Sequence, residues 1–256
     1  MVTTTRHIRP CPSMGCIRKP DQVLGAFLSC AYAGSSLPVL VAVGGPGGTG
    51  KSTFARNLAQ TIGKDRAVVL PLDDYKTPRA VRSRKNIFGP HPDANEMQMI
   101  RDHLETLRQG LPIDKPCYCA VQGQINRFEP FTPARFVIVE GEVSTYRAFR
   151  DVIDFAIFID AHWKTQLNTR LTRDIEQRGY TLEKAIATFL HSNLREFPTY
   201  GGLSKNECDI HIHCDDDYTL VIDAVAEIHL SSILKILSSQ HKQTPGQATD
   251  NAMISS

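Results

Sequence analysis

Eight consecutive residues carry the most specific chemistry in the chain: Gly45, Pro46, Gly47, Gly48, Thr49, Gly50, Lys51 and Ser52, with Thr53 directly after them. They fit the pattern G-x-x-x-x-G-K-[ST] at every fixed position. A triphosphate concentrates negative charge, and backbone N–H groups turned inward around it form an anion-binding nest. Glycine, lacking a Cβ, lets the chain curl that tightly. The Lys51 ammonium can reach β- and γ-phosphates, and the Ser52 hydroxyl can ligate Mg²⁺. The expected ATP contacts are therefore Gly45, Gly47, Gly48, Thr49, Gly50, Lys51, Ser52 and Thr53.

Two acids extend this chemistry. Asp73 follows the apolar run Ala67 to Leu72, and Glu140 follows Phe136 to Val139. Carboxylates at the carboxyl ends of strands in an α/β sheet sit where ligands bind. Asp73 suits taking a proton from an attacking hydroxyl, holding Mg²⁺, or both. Glu140 suits Mg²⁺ or its waters. Further on, Arg170, Arg173 and Arg178 share a helical stretch with Asp174. Such a helix is often a solvated face of i,i+4 pairs. In phosphoryl transfer, arginines of this kind neutralise charge developing on the γ-phosphate.

Tyr118, Gln122, Gln124 and Arg127 lie in an irregular stretch, 111–133, and are candidate substrate contacts. Arg79, Arg82, Arg84 and Lys85 crowd a segment without periodicity, 76–92, and fit an anionic acceptor or the ATP phosphates. Two metal-like patterns are weaker. Cys117-x-Cys119 lacks a second pair at suitable spacing, and His211 and His213 alternate on one strand near Cys208 and Cys214. Both read better as structural, the histidines as alternating residues on a sheet edge.

The elements that must position these residues follow from periodicity. Val39 to Val43 is a buried strand, and Phe54, Leu58 and Ile62 mark the helix from Lys51 that Gly63 ends. Asp21 to Tyr32 and Asn95 to Gln109 read as helices, Phe155 to Ile159 as a strand, and a helix starts at about Trp163. Thr181 to Phe197 is expected as one helix, Cys208 to Cys214 as a last strand, and Asp217 to Leu237 as a final helix. Alternating strands and helices give an α/β fold with a central parallel sheet flanked by helices.

Residues 21–238 then form one domain between two tails, 1–20 and 239–256, expected to be disordered. The first tail holds Arg6, Arg9, Arg18 and Lys19 with no acid before Asp21, a weak transit-peptide composition, but its prolines argue against an amphipathic helix. A formal net charge of +2 gives no basic field for nucleic acid or membrane. No apolar run approaches the roughly 20 residues of a membrane span. Seven cysteines without a disulfide-like spacing fit a reduced, cytoplasmic compartment. The expected partner is a small molecule, with homo-oligomerisation left open.

The ordered landmarks GGPGGTGKST, LDDY (72–75), HPDA (91–94), KPCY (115–118), VIVEGE (137–142) and TRDIEQRG (172–179) resemble the uridine kinase and phosphoribulokinase group of P-loop kinases. The resemblance runs from about Val39 to His213. It implies a P-loop NTPase fold with a helical lid and transfer of the γ-phosphate of ATP to a hydroxyl of a nucleoside, sugar or sugar phosphate. Matched by position, it makes Asp73 the catalytic aspartate, with Lys51, Arg173 and Arg178 completing the catalytic set. Ser52, Asp73 and Glu140 fall in the Mg²⁺ sphere, and His91, Asp93, Tyr118, Gln122 and Arg127 face the acceptor. The chain departs from the uridine kinases at Lys76, where they place a Tyr, and at Pro90, where they place an Asp. It departs again at Gly123, where they place a base-contacting His. The alternative is a nucleotide-dependent ATPase or switch acting through a protein partner, which would need no acceptor landmarks. A GTPase is disfavoured: no N-K-x-D signature is present, and Ser204-Lys205-Asn206-Glu207 does not fit.

Overall fold

The computed structural model of the chain describes residues 8–10 and 19–241. In chain order its strands are β1 (Ile8–Pro10), β2 (Val39–Gly44), β3 (Ala67–Pro71), β4 (Ile113–Cys119), β5 (Gln124–Phe131), β6 (Phe136–Glu140), β7 (Phe155–Ala161), β8 (Ile210–Cys214) and β9 (Leu220–Ala226). The helices are α1 (Pro20–Ala31), α2 (Lys51–Ile62), α3 (Arg79–Lys85), α4 (Met97–Arg108), α5 (Trp163–Glu176), α6 (Leu182–Phe189), α7 (Phe197–Tyr200) and α8 (Glu227–His241). Seven strands form the main sheet in the order β1-β9-β8-β7-β2-β6-β3, and β4 pairs only with β5. The stretch from β3 to β8 in that order is parallel, while β9 pairs antiparallel with β8 and β1 closes that edge antiparallel to β9.

Strand β2 is buried along its whole length and splits its side chains between two cores. Val39, Val41 and Val43 pack with α1 and α2 through Phe27, Phe54 and Leu58, and Leu40 and Ala42 pack with α4 through Ile100 and Leu104. A strand covered on both faces reads as an unbroken apolar run, as this one does. Each fully buried Leu or Phe contributes about 1.5–3 kcal/mol. The parallel register sets Glu140 opposite both Val43 and Pro71, so the ends of β2, β3 and β6 lie level.

Several expectations are corrected. Residues 111–133 hold the hairpin β4–β5. Pro116 and Pro130 lower a strand signal, but a two-stranded ribbon has only edges, where proline is tolerated. Residues 76–92 contain α3, a short basic helix with no buried residue. The expected final helix divides into β9 and α8. Leu220, Val221, Ala224 and Val225 mimic helical spacing, and their β-branched content was the better guide. The helix at 181–197 is interrupted by a π-helical turn, Leu190–Glu196. Strand β8 lies inside the sheet, between β7 and β9, so His211 and His213 are not at an edge. His211 is buried and bonds the Lys205 carbonyl. Ile8–Pro10 pairs with β9, Pro20 opens α1 and α8 extends to His241, while residues 1–7, 11–18 and 242–256 of the expected tails lie outside the described residues. No helix among the described residues is long and apolar enough to cross a membrane.

Candidate active site

Between β2 and α2 the chain turns through Gly45, Gly48 and Gly50 at φ of 133°, 85° and 83°. A Cβ on Gly45 would stand 2.0 Å from the Ile159 carbonyl oxygen, and one on Gly48 would stand 2.6 Å from that of Gln166. Glycine is thus required both by backbone conformation and by space. Lys51 Nζ donates to the Pro46 carbonyl at 2.7 Å, and Thr49 Oγ1 donates to the same oxygen at 3.1 Å. Burial lowers the Lys51 pKa, against the carboxylates of Glu140, Glu142 and Asp73, which favour the ammonium. A curled loop at a helix N-terminus, with an ammonium folded over it, fits a triphosphate.

Two carboxylates face this loop from neighbouring strands. Burial raises the Glu140 pKa, against the pull of Lys51 and of the neighbouring Ser52 hydroxyl. Asp73 is crowded by protein, which pushes its carboxyl up, yet its side chain is 69% exposed to solvent, which weakens that penalty. Lys76, 3.6 Å away, together with Lys51, Arg178 and Arg173, outweighs it and holds the carboxyl below its usual value. Among the described residues no three His, Cys, Asp or Glu side chains form a metal cluster. Two carboxylates and a hydroxyl nevertheless fit Mg²⁺, which takes few protein ligands and keeps waters and phosphate oxygens.

The expected lid arginines gather on one acid. Asp174 is fully buried, and its Oδ1 accepts from Arg173 Nε at 3.1 Å and Arg178 Nη1 at 3.0 Å. Arg170 Nε lies 3.7 Å from Oδ2. The i,i+4 pairs therefore exist, but around a buried carboxylate rather than on a solvated face. We expect Arg173→Ala and Arg178→Ala to lower kcat more than they raise KM for ATP, since transition-state charge is what they would offset. Steady-state kinetics checks this, and an equal loss of ground-state affinity would make them structural.

The second acid of LDDY has a different task from the first. Asp74 accepts from Lys115 Nζ at 2.8 Å and from the Tyr118 amide at 3.3 Å, which fastens the hairpin to the turn that carries Asp73. Helix α3 then links the two expected acceptor groups. Arg82 donates to Tyr118 Oη at 2.6 Å, and Lys85 to Asp93 at 3.1 Å. His91 caps the turn at 92–94, accepting from the Asp93 amide at 3.1 Å, and packs on Tyr200. Arg79 bonds the Ala120 carbonyl, so Arg79 and Arg82 serve the hairpin. Gln122 is exposed at the hairpin turn, and exposed Arg127 pairs with Glu129 at 3.5 Å. The structure places Tyr118, Gln122 and Arg127 on one element and His91 and Asp93 on another.

Sequence reasoning missed three residues here. Lys76 is buried and donates to Asn95 Oδ1 at 2.8 Å and the Gly89 carbonyl at 3.3 Å, joining Asp73 to the HPDA segment. Glu142 stands between two loops: a Cβ on Gly47 would meet its Oε1 at 3.0 Å, and one on Gly89 its Oε2 at 2.1 Å. Its signal was the EGE triplet. Asn193, buried, donates to the Gly47 carbonyl at 2.8 Å and had no sequence signal.

Comparison with known proteins adds a family. The model described as "Phosphoribulokinase / Uridine kinase family" matches residues 40–214. A phosphoribulokinase of Synechocystis sp. is 31% identical over 176 residues, 68% of this chain and 53% of that protein. Uridine-cytidine kinase B of Dictyostelium discoideum is 27% identical over 222 residues, 85% of this chain and 90% of that one. The chain thus spans about half the length of the curated phosphoribulokinases it matches. The solved phosphoribulokinase of Rhodobacter spheroides has the same fold, with a TM-score of 0.56 at 13% identity over 81% of this chain and 97% of that one.

Proposed function

The chain belongs to the phosphoribulokinase/uridine kinase family, and from that premise we propose that it transfers the γ-phosphate of ATP to a hydroxyl of a small molecule. The observation that carries this reading is that Lys51, the first residue of α2, faces both Asp73 and Glu140, which stand just past and at the level ends of β3 and β6. Asp73 is ionised and open to the cleft, as a group that takes the acceptor hydroxyl proton must be. Lys51 leaves the Pro46 carbonyl for the triphosphate and follows the transferring group. Arg173 and Arg178 supply positive charge from the lid side. Ser52, Glu140 and Asp73 would hold Mg²⁺, which neutralises phosphate charge when bound.

The acceptor is where this chain differs from a pyrimidine nucleoside kinase. A site that reads a base needs donors and acceptors against its edge, and each missing partner costs about 1–3 kcal/mol. Gly123 sits at φ 73°, and a Cβ there would stand 2.9 Å from Arg79 Cβ, so the backbone and its neighbour leave no place for a side chain. Pro90 turns its carbonyl to the Tyr146 hydroxyl at 2.7 Å and offers no acid. Four cations act on Asp73, Lys76, Lys51, Arg178 and Arg173, against the one carboxylate of Glu140. Gln122, Gln124 and Arg127 remain exposed on the hairpin. Such surroundings favour a hydroxyl compound that carries negative charge.

Uridine and cytidine are accordingly expected to be poor acceptors, with another hydroxyl compound better by at least ~10-fold, the effect of one such contact. Side-by-side kcat/KM for uridine, cytidine, ribose, ribulose 5-phosphate and a purine nucleoside with Mg-ATP checks this. Uridine at the top, with the efficiency of a dedicated enzyme, would restore a uridine kinase. No ADP release with any small acceptor would remove the kinase reading.

A further inference from the structure

The π-helical turn Leu190–Glu196 touches both halves of the site through different side chains. On one side, Asn193 Nδ2 donates to the Gly47 carbonyl and to Gln166 Oε1, each at 2.8 Å. Its Oδ1 accepts from Arg170, which also reaches Ser192 at 3.1 Å. Three residues on, the Glu196 carboxylate accepts from the Phe88 amide with both oxygens, at 2.9 and 3.1 Å. His191 stacks on the Phe88 ring, with centroids 4.4 Å apart. Asn193 and Glu196 are both buried, so these bonds form away from water.

Each contact has a consequence for the loop it grips. No peptide in the described chain is cis, so the Gly48 N–H points opposite to the Gly47 carbonyl. Drawing that carbonyl out toward Asn193 turns the Gly48 amide inward, where an anion-binding nest needs it. At the other end, Phe88 leads into the loop that Asn95 and Lys76 hold: Asn95 Nδ2 donates to the Gly89 and His91 carbonyls at 2.9 Å, and Lys76 runs on to Asp73. The route from Gly47 to Asp73 is thus continuous in hydrogen bonds and ion pairs, and it crosses one short turn.

Resting on the kinase reading, we propose that Asn193 is a positioning residue that sets the phosphate loop and, through the 190–196 turn and Glu196, couples nucleotide binding to the order of the acceptor loop around Phe88–His91. Nucleotide that fixes Gly47 fixes Asn193, then Glu196, and so the acceptor loop before the acceptor arrives. This is a coupling free energy between two sites.

Hydrogen exchange read by mass spectrometry on peptides covering 86–95 tests it, with Mg-AMPPNP as the probe and calorimetry to fix saturation. In the parent protein bound nucleotide should slow these amides at least ~10-fold, the protection one net hydrogen bond confers. Asn193→Ala should bind AMPPNP more weakly and, once saturated, show no slowing. Glu196→Ala, which removes both acceptors of the Phe88 amide and leaves the phosphate-loop contact in place, should keep AMPPNP affinity within about 3-fold and also lose the slowing. If Asn193→Ala does not fold, Glu196→Ala decides alone. Bound nucleotide without slowing in the parent, slowing retained in the variants, or exchange raised equally with and without nucleotide would each overturn the coupling. Failure of the parent to bind AMPPNP would sink the kinase reading and the coupling with it.

Discussion

Asp73→Asn is expected to abolish phosphotransfer while Mg-ATP still binds, its affinity changed only modestly. The variant keeps the shape of the side chain and removes one proton acceptor and one negative charge. The carboxyl is mostly exposed, and Lys76 contacts it only at 3.6 Å, so the fold does not depend on its charge. Paired measurements of ADP release and nucleotide affinity check the outcome. Normal turnover would move the base to Glu140. Asp74 is unsuited to that role, because its two oxygens are engaged by Lys115 and the Tyr118 amide.

Lys51→Ala should lower turnover by at least ~100-fold, the scale of losing one charge stabiliser in a water-poor site. Lys51 is 7% exposed and neighboured by Glu140, Glu142 and Asp73. Its loss removes the only ammonium folded over the phosphate loop among the described residues and leaves those carboxylates facing the triphosphate. Turnover within a few fold of the parent protein would mean that the loop does not take part in catalysis. Lys51→Arg is a useful companion, since it keeps the charge but not the compact shape.

What could be read from residue types differed by region for physical reasons. The phosphate loop and the strands around it were legible because a nest needs glycines at fixed spacing, and strands covered on both faces show as apolar runs. Asp73 and Glu140 were placed by strand ends alone. The hairpin was not legible, since proline at an edge hides a strand and only one face is covered. The roles of Asp73 and Asp74 could not be separated in sequence; the difference lies in which carboxylate Lys115 reaches across 41 positions. The arginines of α5 were legible as a cluster, but that all three converge on a buried Asp174 is a tertiary fact. Asn193 is a lone amide in a helical stretch, and nothing in its neighbours marks its contact with a loop 146 positions away.

The order of strands in the main sheet carries a consequence for how the protein is made. Strand β2 sits between β6 and β7, and β3 pairs with β6 alone. Among the described residues, neither of the first two parallel strands has any neighbour in the chain that precedes it or lies between them. Roughly 100 residues must follow β2 before its first partner exists. At a synthesis rate of about 5–20 residues per second, the apolar strand that ends in the phosphate loop waits about 5–20 s without a sheet to join. Long-range parallel pairing is slow for the same reason on refolding from denaturant, because the loop must close before any contact repays it. The strand that leads into the phosphate loop, first of the parallel strands in chain order, is therefore a late-assembled part of the protein, and a nascent chain stopped short of β6 would hold it as bare, aggregation-prone surface.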